Sequence, residues 1–474
     1  MPEPLIKELQ ALLGADRVLT DAETLAARTL DTWPLRLVQR VVGAAHPQPL
    51  CVVRPQSTEE ISRTLGLLYR QGVPFIPYGG GSGVTGGAEA VAGAVAIDLS
   101  AMNRILALHE QDLLVTAEAG VLLGKLEAYL NEHGYISGHY PQSIEVAQLG
   151  GLVATRSAGQ FSTHYGNQED LLVGLEAVLP DGRVVRIGNT PRRSVGPDLR
   201  HLWLGSEGAL GVITEVTLKI FPQPAERWLQ AYAVPSMRQG LEIIRQFMRE
   251  GWRPPVVRLH DAVDAARMFP GVTQGDEAIL MLLAEGPAGY AQTEGAALER
   301  ICRAGGSREL GTGPVEHWLA VRNDVHEFDQ YINMGIIVDT IEVAAGWSAI
   351  ADIYDEVTRR LRGEVPEVVF LTGHSSHSYP QGTNLYFIIG AVPPRDPAKV
   401  EQVYWSIWER VMASTLKLGG TISHHHGVGR LRTPWVEAEL GTAYPLLAML
   451  KQAVDPKGLA NPGALIPKGG ERPR

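Results

Sequence analysis

Apolar residues recur in two rhythms along the chain, and the alternation between them outlines the architecture. Leu5, Leu9, Leu12 and Leu13 fall on one face at helical spacing, so the first ~45 residues read as helical. From Pro47 the rhythm changes. Residues 50–53 form a short apolar run, read as a strand. Thr58-Glu-Glu reads as an N-cap with acidic first-turn residues, opening a helix over 61–69 that Gly72 closes. Residues 73–77 are a second strand, so this stretch predicts a βαβ unit and an α/β or α+β class. Strand patterns recur at 94–99, 173–179 and 184–187, the last two joined by Pro180-Asp-Gly-Arg as a hairpin. Between Pro222 and about Asp396, helical patterns (237–249, 347–361) alternate with strand-like runs (256–259, 278–283, 384–389). That stretch predicts a second α+β domain.

Composition narrows the classes. A length of 474 residues fits two to three domains. Lys and Arg number 42 against 52 Asp and Glu, a net charge of −10, which argues against a nucleic-acid partner. No run of ~18 apolar residues is present, so no transmembrane segment is expected. The start, Met-Pro-Glu-Pro, has neither a basic nor an apolar leader region, which argues against secretion. Cys51 and Cys302 are the two cysteines; they support no disulfide framework and fit a reducing cytoplasm.

The glycines change the picture most. Of 52, seven lie between Gly79 and Gly93, and others group at Gly150-Gly151, Gly159, Gly166 and from Gly205 to Gly211. Gly81-Ser-Gly83-Val-Thr-Gly86 is a formal GxGxxG, but a dinucleotide fold of the βαβ type needs a helix there and an acid ~20 residues on. The run AVAIDL at 94–99 leaves no room for that helix, and no Gly-Lys-Ser/Thr follows to make a P-loop. What remains is a strand–loop–strand whose backbone N–H groups can converge on an anion, a pyrophosphate most naturally. For a lone loop, an unliganded hairpin is the bland alternative.

The loop has company. Residues 139–159 and Gly205-Ser-Glu-Gly-Ala-Leu-Gly-Val-Ile-Thr-Glu-Val follow in order. Together, residues 77–88, 141–159 and 207–213 resemble the FAD-binding domain of the vanillyl-alcohol oxidase / PCMH superfamily, over about residues 45–222. The resemblance implies a PCMH-type FAD-binding domain of two α/β subdomains, plus an α+β cap with an antiparallel sheet, α+β overall. It implies an N-terminal helical segment at 1–45, the FAD domain at 46–222, the cap at 223–435, and a C-terminal return at 436–474. It also places FAD on Pro77, Gly79, Gly80, Gly81, Ser82, Gly83, Val84 and Thr85; on Pro141, Gln142, Ser143, Ala147, Gly150, Gly151, Ala154, Thr155 and Ser157; and on Glu207, Gly208, Gly211, Val212 and Ile213. No Cys lies in these motifs, and Tyr78 stands where some covalent members have His, so non-covalent FAD is expected.

Two histidine groups lie in the C-terminal half: His374 and His377 within Gly373-His-Ser-Ser-His-Ser-Tyr379, and His424, His425 and His426 before Gly427-Val-Gly429. Such groups beside glycines form a metal site or an acid/base cluster; a solvated histidine run is the bland alternative. Tyr379 follows His377 by two residues, so on a strand both point to one face. The 2-hydroxy-acid dehydrogenases of the superfamily carry Gly-His-x-Gly-Asp-Gly-Asn-Leu-His and later Glu-His-Gly, whose side chains hold a divalent metal. Here Tyr386 replaces the second His and His425 the Glu, so no metal ligand is assigned. Residues 424–429 and 378–387 match alkyldihydroxyacetonephosphate synthases instead, which implies Tyr379 as acid/base residue among His377, His424, His425 and His426. Arg258 resembles an arginine of that branch; a plain surface ion pair is the other reading. Tyr331-Ile-Asn333 stands where the synthases carry an arginine.

The resemblance thus implies an FAD-dependent oxidoreductase acting on a small 2-hydroxy acid or alcohol by hydride transfer to flavin N5. The alternative is a synthase-like, non-redox exchange of acyl for alkyl on acyl-dihydroxyacetone phosphate. A cytoplasmic homodimer with a small-molecule substrate and an electron-acceptor partner is expected; oxygen, a quinone and an iron–sulfur subunit stay open as acceptors.

Overall fold

The computed structural model describes residues 2–467. The first helix, Pro2–Leu13, buries Leu5, Leu9 and Leu13. A small sheet follows, built from β1 (Val18–Leu19), β2 (Cys51–Val53), β3 (Phe75–Tyr78) and β4 (Val95–Asp98), in the order β1-β2-β4-β3. The helix Thr58–Gln71 crosses over between β2 and β3. Ser57, not Thr58, is its N-cap, accepting from Glu60 N at 3.2 Å. The two strands joined by this helix are not neighbours: β4 lies between them, parallel to both. Residues near the C-terminus extend the same sheet, since Ala460 bridges Phe75 along the outer edge of β3.

An antiparallel five-stranded sheet comes next: β5 (Ile105–His109), β6 (Leu114–Glu118), β8 (Leu172–Val178), β9 (Val184–Gly188) and β10 (Val212–Lys219), in the order β5-β6-β10-β8-β9. A two-stranded ribbon pairs β7 (Tyr135–Ile136) with β11 (Phe221–Pro222).

The third sheet is wholly antiparallel. It orders β15 (Arg308–Gly311), β12 (Glu226–Val234), β14 (Ala278–Gly286), β13 (Val256–His260), β17 (Val368–Ser375), β19 (Gly382–Ala391) and β16 (Ile337–Gly346), with β18 (Ser378–Tyr379) paired to β19. The long helices Met237–Glu250, Ile350–Glu364 and Pro397–Lys417 cover its outer face. Period-two alternation decides what faces where. Val257 and Leu259 of β13, Leu385, Phe387 and Ile389 of β19, and Ile341 and Val343 of β16 enter the outer core. The alternate positions, Arg258, His260, Tyr386 and Glu342, turn to the opposite face, toward the first half of the chain.

Candidate active site

Three backbone segments of the first half meet around one cavity of about 1040 Å³. The glycine loop after β3 is packed too closely for side chains. A Cβ on Gly80 would stand 1.8 Å from the Val146 carbonyl oxygen, and Gly81 has φ 68° beneath Tyr78. The loop is held from outside as well. Thr32 N donates to Gly83 O at 2.8 Å, and Asn461 Nδ2 donates to Gly87 O at 2.8 Å. The short helix Leu149–Ala154 presses Gly150 onto Ala119. Glu207 adopts φ 47°, which turns the third segment under Pro77. All the residues to which FAD contacts are assigned line this cavity except Val212, which is buried in β10.

The cap sheet contributes a row of polar side chains that crosses four strands. His260 on β13 is opposite His374 on β17, which is opposite Tyr386 on β19, which is opposite Glu342 on β16. The rings stack along the row: His260 on His374 at 4.9 Å, His374 on Tyr386 at 4.6 Å. Tyr386 then stacks on His425 at 6.0 Å.

Glu342 anchors the loop that carries the histidine triplet. Its carboxylate is fully buried and accepts from Ser423 Oγ (3.0 Å), His426 N (3.0 Å) and Arg432 Nη2 (3.0 Å), and also from His424 N. A second carboxylate, Glu207 of the cofactor wall, accepts from Val428 N and Gly429 N, both at 2.6 Å. Gly429 lies against the glycine loop, where a Cβ would fall 2.1 Å from Thr85 O. The triplet is thus clamped between the two halves of the molecule.

His424 is the hub of a hydrogen-bonded chain. Asn167 Nδ2 donates to the Tyr379 hydroxyl at 2.8 Å, and that hydroxyl meets His424 Nε2 at 2.7 Å. His424 Nδ1 in turn faces His425 Nδ1 at 3.0 Å. His377 is held through Nδ1 by Ser162 Oγ at 2.7 Å, with its ring 4.9 Å from that of His424. His377, His425 and His426 line the cavity; Tyr379 and His424 stand behind them.

Family models match both halves of the chain: an FAD-binding domain over residues 49–188, and the C-terminal domain of FAD-linked oxidases over residues 223–465. The chain belongs to the FAD-linked oxidases. An uncharacterised FAD-linked oxidoreductase of Escherichia coli strain K12, YgcU, is 39% identical over 98% of this chain and 98% of its own length. A mitochondrial cytochrome-type D-lactate dehydrogenase of Arabidopsis thaliana is 30% identical over 98% of this chain and 81% of its own. An alkyldihydroxyacetonephosphate synthase of Dictyostelium discoideum is 26% identical over 98% of this chain and 80% of its own. A solved alkyldihydroxyacetonephosphate synthase shares the fold with a TM-score of 0.82 at 24% identity, covering 97% of this chain and 84% of that one. The protein is therefore an FAD-dependent oxidoreductase, and the cavity built from the three glycine-rich segments suits a dinucleotide that needs close backbone approach.

Several residues stand differently from the sequence reading. His377 and Tyr379 are not on one continuous strand, because β17 ends at Ser375 and β18 begins at Ser378. The Asn384 side chain fills the break, accepting from Ser376 N and His377 N at 2.9 Å each. The helix read from Trp347 begins at Ile350. Arg258 is not a surface ion pair; it sits on the cavity wall, and burial pulls its guanidinium down to about 10. Sequence reasoning also missed a wall of the cavity, the helix Pro34–Val41 with Leu37 and Arg40, and it did not single out Asn167, Ser162, Glu342 or Arg322. A signal existed for Arg258, Tyr386 and Glu342: each is a polar position between apolar ones inside a strand.

The histidine cluster does not suit a divalent metal. His377, His424 and His425 bring ring nitrogens together, but His424 spends both on Tyr379 and His425, and no carboxylate joins the set. Glu342, the nearest acid, is occupied by backbone N–H groups and Arg432. Burial instead keeps the rings neutral: it lowers His424 to about 4 and His426 to about 3, and holds His377, His425 and His374 well below the usual imidazole range.

That neutrality sets the acid limit of the protein. Below pH 6.5 the unfolded chain protonates His139, His260, His374, His377, His424, His425 and His426, while the fold keeps these seven neutral. The unfolded state then binds more protons, so stability falls as pH drops. Six carboxylates that burial raises, Asp31, Glu207, Glu215, Asp261, Glu294 and Asp339, act in the opposite sense, while carboxylates held low by hydrogen bonds to arginine, such as Asp198 and Glu242, act with the seven histidines. The melting temperature of the FAD-bound protein is expected to decline steadily from pH 6.5 to 4. A flat or rising profile in a calorimetric pH series would contradict it.

Proposed function

We propose that this chain oxidises a small hydroxy compound, a 2-hydroxy acid or an alcohol, with His425 taking the hydroxyl proton. The observation that carries this reading is the chain Tyr379–His424–His425, which ends on the cavity wall. FAD supplies the hydride acceptor at its N5. His425 engages Nδ1 with His424 and leaves Nε2 open to the cavity. A proton accepted there charges the ring, and His425 Nδ1–H then donates to His424 Nδ1, so the charge is shared between the two rings while Tyr379 keeps its phenol proton. Burial raises the Tyr379 hydroxyl above its ordinary range, so the phenol stays protonated and is not itself the base. A ring kept neutral by burial accepts a proton at neutral pH without first having to lose one. His377, also open at Nε2, flanks the same point of the cavity.

The match of residues 424–429 to the synthase motif supports a second reading, the non-redox exchange of acyl for alkyl on acyl-dihydroxyacetone phosphate. One experiment separates them. Anaerobic mixing with D-lactate, glycolate or D-2-hydroxyglutarate should bleach the visible flavin band, and His425→Ala should slow that bleaching by ~10²–10⁴-fold. If no hydroxy compound bleaches the flavin while acyl exchanges for alkyl, the second reading stands and the first fails.

A further inference from the structure

One wall of the cofactor cavity comes from a part of the chain that precedes both matched domains. Thr32, Pro34, Leu37, Arg40 and Val41 line the same cavity as the glycine loop, whereas the family matches begin at residue 49. After the helix Ala22–Ala27 the chain runs without helix or strand to Trp33, then forms the helix Pro34–Val41. On the way it grips the glycine loop at several points. The Tyr78 hydroxyl, just before the loop, donates to Leu30 O at 3.1 Å. Thr32 donates to Gly83 O through both its N–H and its hydroxyl, each at 2.8 Å. Ala90 N, just beyond the loop, donates to Thr29 O at 2.8 Å. The Trp33 ring covers Gly86, where a Cβ would come within 2.5 Å of it.

The same segment is rooted in the other half of the molecule. Trp33, Leu35 and Val38 are buried in the outer core of the cap, with Tyr404 and Trp408. Trp33 Nε1 donates to the Tyr404 hydroxyl at 2.9 Å, and Gln39 Nε2 to Glu401 Oε2 at 3.4 Å, both on the helix Pro397–Lys417. Behind it the connection is loose. Residues 43–48 form neither helix nor strand, and most of them are exposed. A segment held by a few contacts and followed by such a linker opens as a unit, without unfolding either domain. We propose that residues 28–42 form a clasp on the cofactor: FAD enters and leaves when this segment lifts from the glycine loop and the cap, and the closed segment retains it. Loop and cap are thereby fastened to each other across the cavity by one short piece of chain. The clasp concerns retention of FAD and depends on neither reading of the chemistry, so its test needs no substrate.

Two measurements on the full chain check it. The first is tryptic cleavage after Arg40, an exposed residue at the end of the segment, with and without FAD. With FAD at ~10 times its Kd the cut should slow ~10-fold, because a ligand held by the closed form depletes the open one. Cleavage after Arg193, on an exposed loop outside the cavity, is the reference and should not change. The second is the rate of FAD release, followed by the recovery of flavin fluorescence. Trp33→Phe keeps a ring over Gly86 but loses the bond to Tyr404, and should speed release by ~5-fold, the range of a neutral hydrogen bond. Cys302→Ala loosens the cap at the helix Tyr290–Ala304, which packs on β12 and β14, and should change release less than ~2-fold. If Trp33→Phe does not fold, Thr32→Val, at an exposed position, carries the rate test. Equal cleavage after Arg40 with and without FAD overturns the clasp. So does release from a folded Trp33→Phe or Thr32→Val as slow as from the native protein, or acceleration by Cys302→Ala as large as theirs.

Discussion

Glu342→Gln is expected to cost about 3–5 kcal/mol of stability and to abolish flavin reduction, because it strands a buried charge. Arg432 is fully buried, and the Glu342 carboxylate is the acid that faces it, at 3.0 Å. The amide keeps the shape but removes the counter-charge. It also replaces one acceptor oxygen with a donor, opposite the N–H groups of His424 and His426 and the Ser423 hydroxyl. The loop would then release the histidines from their positions even where the fold survives. Chemical denaturation of the FAD-bound protein, together with the rate of anaerobic bleaching, checks both parts. A variant within ~1 kcal/mol of wild type would show that the pair is dispensable, as buried pairs sometimes are when both partners are replaced together.

Gly80→Ala should deprive the protein of its cofactor. The new Cβ would stand 1.8 Å from the Val146 carbonyl oxygen and 2.9 Å from its carbon. Both are backbone atoms of the neighbouring cofactor segment, so no side chain can swing aside. The loop and the segment after Pro141 must part, and the walls that approach the dinucleotide part with them. A loss of FAD affinity of ~100-fold or more is expected, the scale of about 2.7 kcal/mol. It is read as the flavin-to-protein ratio after dialysis. Gly188→Ala, where a Cβ meets nothing within 4 Å, is the control and should retain flavin. Full flavin content in Gly80→Ala would mean that the loop does not touch the cofactor.

How much of this was legible in the sequence depended on how local the signal was. The glycine loop and the His424–His426 triplet are contiguous, so their chemistry can be read without a fold. The cofactor followed from three short motifs in order. The polar row of the cap sheet could not be read this way. Arg258, His374 and Tyr386 are far apart in the chain and meet through strand register, which a single sequence does not reveal. The alternation of Arg258 and Tyr386 with apolar neighbours was visible, yet a half-polar strand is as readily a solvent-facing one. β4 between β2 and β3 was hidden for a similar reason: adjacency in a sheet is not adjacency along a chain. Glu342 and Asn167 looked unremarkable because their roles are to hold other residues.

The edge of β3 has a bearing on how the protein is made. Phe75 N donates to Leu459 O, and Asn461 N donates back to Phe75 O, both at 2.9 Å. The Asn461 side chain then ties the glycine loop at Gly87 to a partner 374 residues later. The cofactor cradle is thus begun early in synthesis and fastened by almost the last residues described. Contacts so distant along the chain form slowly. Until they form, β3 is a bare sheet edge of the kind that recruits other strands. The residues that complete the cradle are thus the same ones that cover this edge of the sheet.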